Sequence, residues 1–195
     1  MRRKGKESPL LVAIAGPNGA GKTTFYRSHI QQYGMRFVNA DLISRQFGAD
    51  SAKSGRLARA ICDQLVHHHE SFVFETVFSD PVGDKLGLLK QAAAEGFIVV
   101  LCFIGISSHD ISEQRVAMRI SQGGHDVPKE KLISRFPRTL ENLRKAIKSI
   151  PNIWIFDNDD LKRPFRLVAV FEDRHIINLK MPIPDWLAPM VLEHL

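Results

Sequence analysis

The run Gly16-Pro17-Asn18-Gly19-Ala20-Gly21-Lys22-Thr23 fits G-x-x-x-x-G-K-[ST] at every fixed position, and few short motifs restrict a fold as tightly. Such a loop works only between the end of a strand and the start of a helix. Here it follows the apolar run Leu10–Ala15 and precedes an amphipathic stretch that begins at Lys22. Its glycines let the backbone wrap closely enough for successive N–H groups to point at phosphate oxygens, while the following helix offers the positive end of its dipole. Gly16, Pro17, Asn18, Gly19, Ala20, Gly21, Lys22, Thr23 and Thr24 are therefore candidate nucleotide-binding residues. Lys22 is expected to reach the β- and γ-phosphates of ATP, and the Thr23 hydroxyl to complete the coordination of Mg²⁺. A bound nucleoside triphosphate follows from the loop, but a kinase, a GTPase, a motor ATPase and a nucleotide-gated switch would all carry it.

The rest of the chain has the rhythm that such a loop requires. Apolar runs at Leu10–Ala15, Arg36–Asn39, Phe72–Phe74, Ile98–Ile104 and Ile153–Phe156 predict strands. Amphipathic stretches near Lys22–Gln32, Gly55–His69, Val82–Ala94, Ser108–Ser121 and Lys129–Ser149 predict the helices between them. Alternation of this kind gives βαβ units, hence an α/β fold with a mostly parallel sheet flanked by helices. Unbroken Val, Ile, Leu and Phe runs are what strands covered on both faces need. Phe165–Phe171 and His175–Lys180 read as a closing hairpin around Glu172-Asp173-Arg174, followed by a short helix near Asp185–Leu192.

With 195 residues, one domain fits, set at residues 9–195 behind a basic tail, 1–8, expected to be disordered. The formal charge of +6 raises the question of polyanionic partners. Resolved along the chain, residues 1–7 carry +3, residues 111–148 carry +5, and the remainder is −2. Cys62 and Cys102 are too few for a disulfide framework and lie in apolar surroundings, so buried thiols in a reducing compartment are expected. The longest apolar run, Phe97 to Ile106, is about half of a membrane span, and the basic start has no apolar segment behind it. A cytoplasmic protein without membrane association is the expectation.

Two carboxylates stand where predicted strands end. Asp41 follows Phe37-Val38-Asn39-Ala40, and Glu75 follows Phe72-Val73-Phe74. In a parallel sheet both lie at the carboxyl edge beside the phosphate loop, where a carboxylate can take the proton of an acceptor hydroxyl as the γ-phosphoryl group moves across. The plainer readings are a helix N-cap for Asp41 and a strand-end ion pair for Glu75. Phe156-Asp157 is the one apolar run that passes straight into aspartate, the usual form of a metal-organising strand end. Arg115 and Arg119 are four apart, hence on one helix face. They precede the turn Gly123-Gly124-His125-Asp126-Val127-Pro128, and Arg135 and Arg138 follow it. With the surrounding residues 111–148 they form a candidate lid that closes over triphosphate and excludes water; a solvated helix face is the alternative.

Together these pieces resemble the zeta toxin family of small-molecule P-loop kinases, particularly its compact, zeta-like members. The resemblance rests on Gly16–Thr24, Phe37–Ile43, Phe72–Thr76, and the stretch from Arg115 through Pro128 to Arg135-Phe136-Pro137-Arg138 and Leu143. It implies phosphoryl transfer from ATP, with Mg²⁺, to a hydroxyl of a nucleotide sugar, in the toxins the 3′-hydroxyl of UDP-N-acetylglucosamine. Carried over by position, Asp41 is the general base, Lys22 and Thr23 are phosphate and magnesium ligands, and Glu75, Thr76 and Arg135 contact substrate. The family's lid arginines fall among Arg115, Arg119, Arg135 and Arg138, with Arg115 and Arg119 favoured. An antitoxin protein is the implied partner. Thr76 follows Glu75 directly, where the better-known toxins place a glycine between them.

The remaining features read more plainly. Adjacent residues on a helix diverge by about 100°, so His67-His68-His69 forms a polar helix end rather than a metal cluster. His125 reads as a loop hydrogen-bonder, Asp157-Asn158-Asp159-Asp160 as a turn, and Trp154 and Trp186 as packing residues. Two other functions share the loop: a nucleic-acid end kinase that turns the basic region on a phosphodiester backbone, and a non-catalytic, nucleotide-gated module that binds a partner.

Overall fold

The apolar runs become the centre of a single seven-stranded sheet in a computed structural model that describes residues 8–121 and 127–195. Five strands are parallel: β1 (Leu10–Ala15), β2 (Arg36–Asn39), β3 (Phe72–Thr76), β4 (Ile98–Gly105) and β5 (Asn152–Asp157). They stand in the order β2-β3-β1-β4-β5, and the hairpin β6 (Arg166–Glu172) and β7 (His175–Leu179) extends the sheet antiparallel. The connections are α1 (Lys22–Phe25), α2 (Ala40–Phe47), α3 (Ser51–His67), α4 (Asp84–Ala94), α5 (His109–Ser121) and α6 (Lys129–Ile147), and α7 (Ala188–Leu192) closes the chain. The basic tail through Glu7 and the turn residues Gly123, Gly124, His125 and Asp126 lie outside the described residues.

Strand alternation divides the core between the two faces. Leu11, Ala13 and Ala15 of β1 join Phe72 and Phe74 of β3 and Val99, Leu101 and Phe103 of β4 in the larger cluster, beneath residues of α3, α4, α6 and α7. Val12, Ile14, Val73, Cys102 and Ile104 point the other way, against Phe25 and Ile30. Both faces are therefore buried at the centre of the sheet, which is why these strands read as continuous apolar runs rather than alternating ones. Cover thins toward β5, and Trp154 on the second face is 45% exposed, so it is not the packing residue expected. Trp186 is one: it is buried, its Nε1 donates to Asp157 Oδ1 at 3.3 Å, and a Cβ on Gly105 would lie 2.1 Å from its ring.

Two helices depart from their expected form for local reasons. The stretch after the phosphate loop is α-helical only to Phe25, then widens into a π turn, Tyr26–Ile30, and tightens into a 3₁₀ turn, Gln31–Tyr33. Phe25 packs on Phe156 and Phe165, whereas Tyr26 stacks on Phe37 of β2 with ring centroids 3.7 Å apart. Neighbouring residues are thus held by different partners, and Ser28 Oγ donates back to the Thr24 carbonyl at 2.9 Å, a bond that loosens a helix. The other departure is α3, which starts at Ser51, ahead of the expected Gly55, because Asp50 Oδ1 accepts from Lys53 N at 2.7 Å and caps it.

Cys62 and Cys102 are free and buried, and burial pushes both thiols up to about 12. A thiolate is the reactive form. Iodoacetamide at pH 8 is therefore expected to label neither cysteine in the native chain and both in denaturant, as read by peptide mass spectrometry. Labelling of either one in the folded protein would contradict this burial.

Candidate active site

The phosphate loop fits its place only because certain positions lack a side chain. Gly16 has φ +146°, and a Cβ there would sit 2.1 Å from the Ile104 carbonyl oxygen of β4. Gly21 has φ +90°, and its Cβ would lie 2.7 Å from Asn158 Nδ2. Gly21 forms the start of α1, whose first-turn N–H groups face the loop. Lys22 is buried, and its Nζ donates to the carbonyls of Gly16 at 2.9 Å and Pro17 at 2.7 Å. An ammonium has three donors, so one remains for a phosphate oxygen. Burial pushes Lys22 below the ordinary lysine value, and the carboxylates of Glu75 and Asp41 work against that shift. Thr24 is exposed on α1.

Parallel register brings the carboxylates to the same edge. Glu75 is opposite Ile14 of β1 on one side and Asn39 of β2 on the other. Its two oxygens accept from Thr23 Oγ1 at 3.0 and 2.9 Å, so it lies against the hydroxyl expected to take magnesium. Burial raises its pKa above the usual glutamate range, opposed by the charge of Lys22 and by hydrogen bonds from Thr23 and Asn39. Asp41 is the second residue of α2, and the cap is Asn39: its Oδ1 accepts from Asp41 N at 2.7 Å and Leu42 N at 3.1 Å. The N-cap alternative for Asp41 is thereby corrected, and its carboxylate is left to the cleft that it lines. Asp157 ends β5, which is separated from β1 by β4, and its carboxylate accepts from Arg166 and Trp186. It belongs to the packing of the hairpin and of Trp186.

A cleft of about 370 Å³ gathers Lys22, Asp41, Glu75, Thr76, Arg119, Arg135 and Arg138. Burial and the neighbouring Arg138 charge depress the Arg135 pKa, and the Asp41 carboxylate opposes them. Thr76 Oγ1 also accepts from Phe78 N at 3.1 Å. Arg115 is placed elsewhere. Its Cβ sits against Gly19, and its Nη2 donates to the Asp159 carbonyl at 2.9 Å. Of the two α5 arginines it is Arg119 that lines the cleft, joined by Arg135 and Arg138 of α6.

Two residues escaped sequence reasoning. Asn158 is buried beneath the loop: its Nδ2 donates to the Ala20 carbonyl at 2.8 Å, and its Oδ1 accepts from Phe165 N at 3.1 Å. Ser112 Oγ donates to the Asn18 carbonyl at 2.6 Å. They brace the loop from β5 and α5, across long sequence separations that no local pattern signals. Among the described residues no group of three or more His, Cys, Asp or Glu converges, and the exposed His67, His68 and His69 fall at the end of α3 as expected. No described helix is long and apolar enough to cross a membrane.

A phosphate loop on β1, carboxylates at the edge of β2 and β3, and arginines from α5 and α6 share one cleft of an α/β fold of the P-loop kinase type. Within that class the chain belongs to the zeta toxin family, whose model, "Zeta toxin", matches residues 1–166. An uncharacterised protein of Haemophilus influenzae is 28% identical over 124 residues, covering 61% of this chain and 86% of its own. Among solved structures, AvrRxo1-ORF1:-ORF2 with ATP superposes with a TM-score of 0.71 at 20% identity, covering 96% of this chain and 63% of that one. This chain thus spans less than two thirds of that protein. The PezAT chromosomal toxin-antitoxin system of Streptococcus pneumoniae superposes with a TM-score of 0.58 at 17% identity, covering 90% of this chain and 72% of that one. At such identities these structures speak to the fold alone.

Proposed function

We propose that this protein transfers the γ-phosphoryl group of ATP to a hydroxyl of a small anionic metabolite, with a nucleotide diphosphate sugar such as UDP-N-acetylglucosamine as the model acceptor. The observation that carries this is the sharing of one cleft by Lys22, on the phosphate side, and Asp41, whose carboxylate is not used as a cap. Asp41 takes the proton of the acceptor hydroxyl, the new oxygen bonds to the γ-phosphorus, and the bond from that phosphorus to the β-phosphate oxygen breaks to release ADP. Lys22 and the arginines 119, 135 and 138 balance the charge on the transferring group and the leaving ADP. Thr23 and Glu75 offer a hydroxyl and a carboxylate within 3.0 Å of each other, hard oxygen donors that suit Mg²⁺. The ion supplies neutralisation of phosphate charge when bound. The net cationic lining, Lys22, Lys85 and three arginines against Asp41, Glu75 and Asp80, supports an acceptor with anionic groups of its own. An antitoxin partner belongs to the same reading, supported by family membership and by the toxin-antitoxin system among the matched structures.

A salt titration separates this function from a nucleic-acid end kinase. ADP release from ATP and Mg²⁺ is expected to require the metabolite and to change less than about tenfold between roughly 50 and 200 mM salt, whereas a protein gripping a phosphodiester backbone loses about 10³-fold or more. Activity confined to an oligonucleotide acceptor, with that steep loss, would overturn the proposal.

A further inference from the structure

The segment between β3 and α4 is held unusually firmly. Thr139 Oγ1 donates to the Val77 carbonyl at 3.0 Å, Asn142 Nδ2 to those of Phe78 at 2.9 Å and Asp80 at 3.0 Å, and Arg138 Nε to that of Ser79 at 3.1 Å. Four consecutive carbonyls are thus fixed by side chains of α6. Phe78, buried at the base of this segment, has φ +63°, a left-handed backbone that a bulky residue keeps only when its surroundings impose it. Such overdetermined strain is characteristic of segments that present a group to a ligand.

The group presented is Asp80. It lines the cleft, yet both its carboxylate oxygens are shut off from bulk water and neither accepts a hydrogen bond from a described residue. The cations on the same wall are engaged elsewhere, Lys85 Nζ with Asp84 Oδ2 at 2.6 Å and Arg138 Nε with the Ser79 carbonyl. A carboxylate can only accept, so its complement is a donor. We propose that Asp80 is a specificity residue that accepts hydrogen bonds from hydroxyl or amide N–H groups of the phosphate acceptor. The arginines of the cleft take the acceptor's anionic part, and Asp80 reads its neutral, donor-bearing part. This rests on the cleft being the phosphoryl-transfer site.

Asp80→Asn and Asp80→Ala test it with UDP-N-acetylglucosamine, UDP-glucose and uridine as acceptor probes. For whichever probe the wild type phosphorylates best, both variants are expected to raise its KM by about tenfold to a hundredfold, with kcat and the KM for ATP within about twofold. An acceptor KM left unchanged in both variants overturns the assignment. Failure of the kinase reading would show in the wild type, as inertness towards every probe; failure of this inference shows only in the variants.

Discussion

Asp41→Asn is expected to leave ATP binding within about twofold of the wild type while lowering phosphoryl transfer by about 10²–10⁴-fold, the usual contribution of a general base. The substitution keeps the size and shape of the side chain and removes only its capacity to accept a proton. Local structure is unaffected, because Asn39 and not Asp41 caps α2. Lys22, Thr23 and the loop glycines, to which nucleotide binding is assigned in this proposal, remain in place. Titration calorimetry with a non-hydrolysable ATP analogue and single-turnover transfer with ATP measure the two halves separately. Equal transfer rates for variant and wild type would remove Asp41 from the chemistry. Loss of ATP binding would make it a structural residue.

Lys22→Met is the second large effect. Methionine fills a similar volume and is tolerated in a buried site, but it takes away the charge that the cleft places nearest the loop carbonyls. Transfer is expected to fall at least 10²–10³-fold, as when one preorganised electrostatic donor is lost, and ATP affinity is expected to weaken as well. The pairing of these losses separates Lys22 from Asp41: the lysine variant loses both binding and transfer, the aspartate variant transfer alone. Retained activity in Lys22→Met would contradict nucleotide binding at this loop.

What could be read from the sequence, and what could not, follows from the range of the interactions involved. The loop was legible because its chemistry lies in fixed local spacing, and the sheet because both faces are buried and the strands are continuously apolar. Asp41 was legible as a candidate, but Asn39 and Asp41 are both capping residues by type. Only the extended backbone of Asn39, φ −141°, ψ 122°, decides which one caps. The helical spacing of Arg115 and Arg119 correctly put them on one face. It could not show that Arg115, one turn nearer the start of α5, abuts Gly19 and bonds to Asp159 while Arg119 reaches the cleft. Asp157 looked like a metal-organising strand end until strand order put β4 between it and the loop. Asn158 read only as part of a turn, and Asp80 carried no local signal. One depends on a bond to Ala20, the other on a segment held by α6, and both arise from tertiary packing.

The most direct test of the central claim is mass spectrometry of nucleotide sugars, nucleosides and oligonucleotides incubated with ATP, Mg²⁺ and either the wild-type protein or Asp41→Asn. The expected result is the mass of one phosphate group added to a small, hydroxyl-bearing acceptor by the wild type and not by the variant. A wild-type protein that binds ATP yet adds phosphate to none of them would contradict a phosphotransferase and favour a nucleotide-gated binding module.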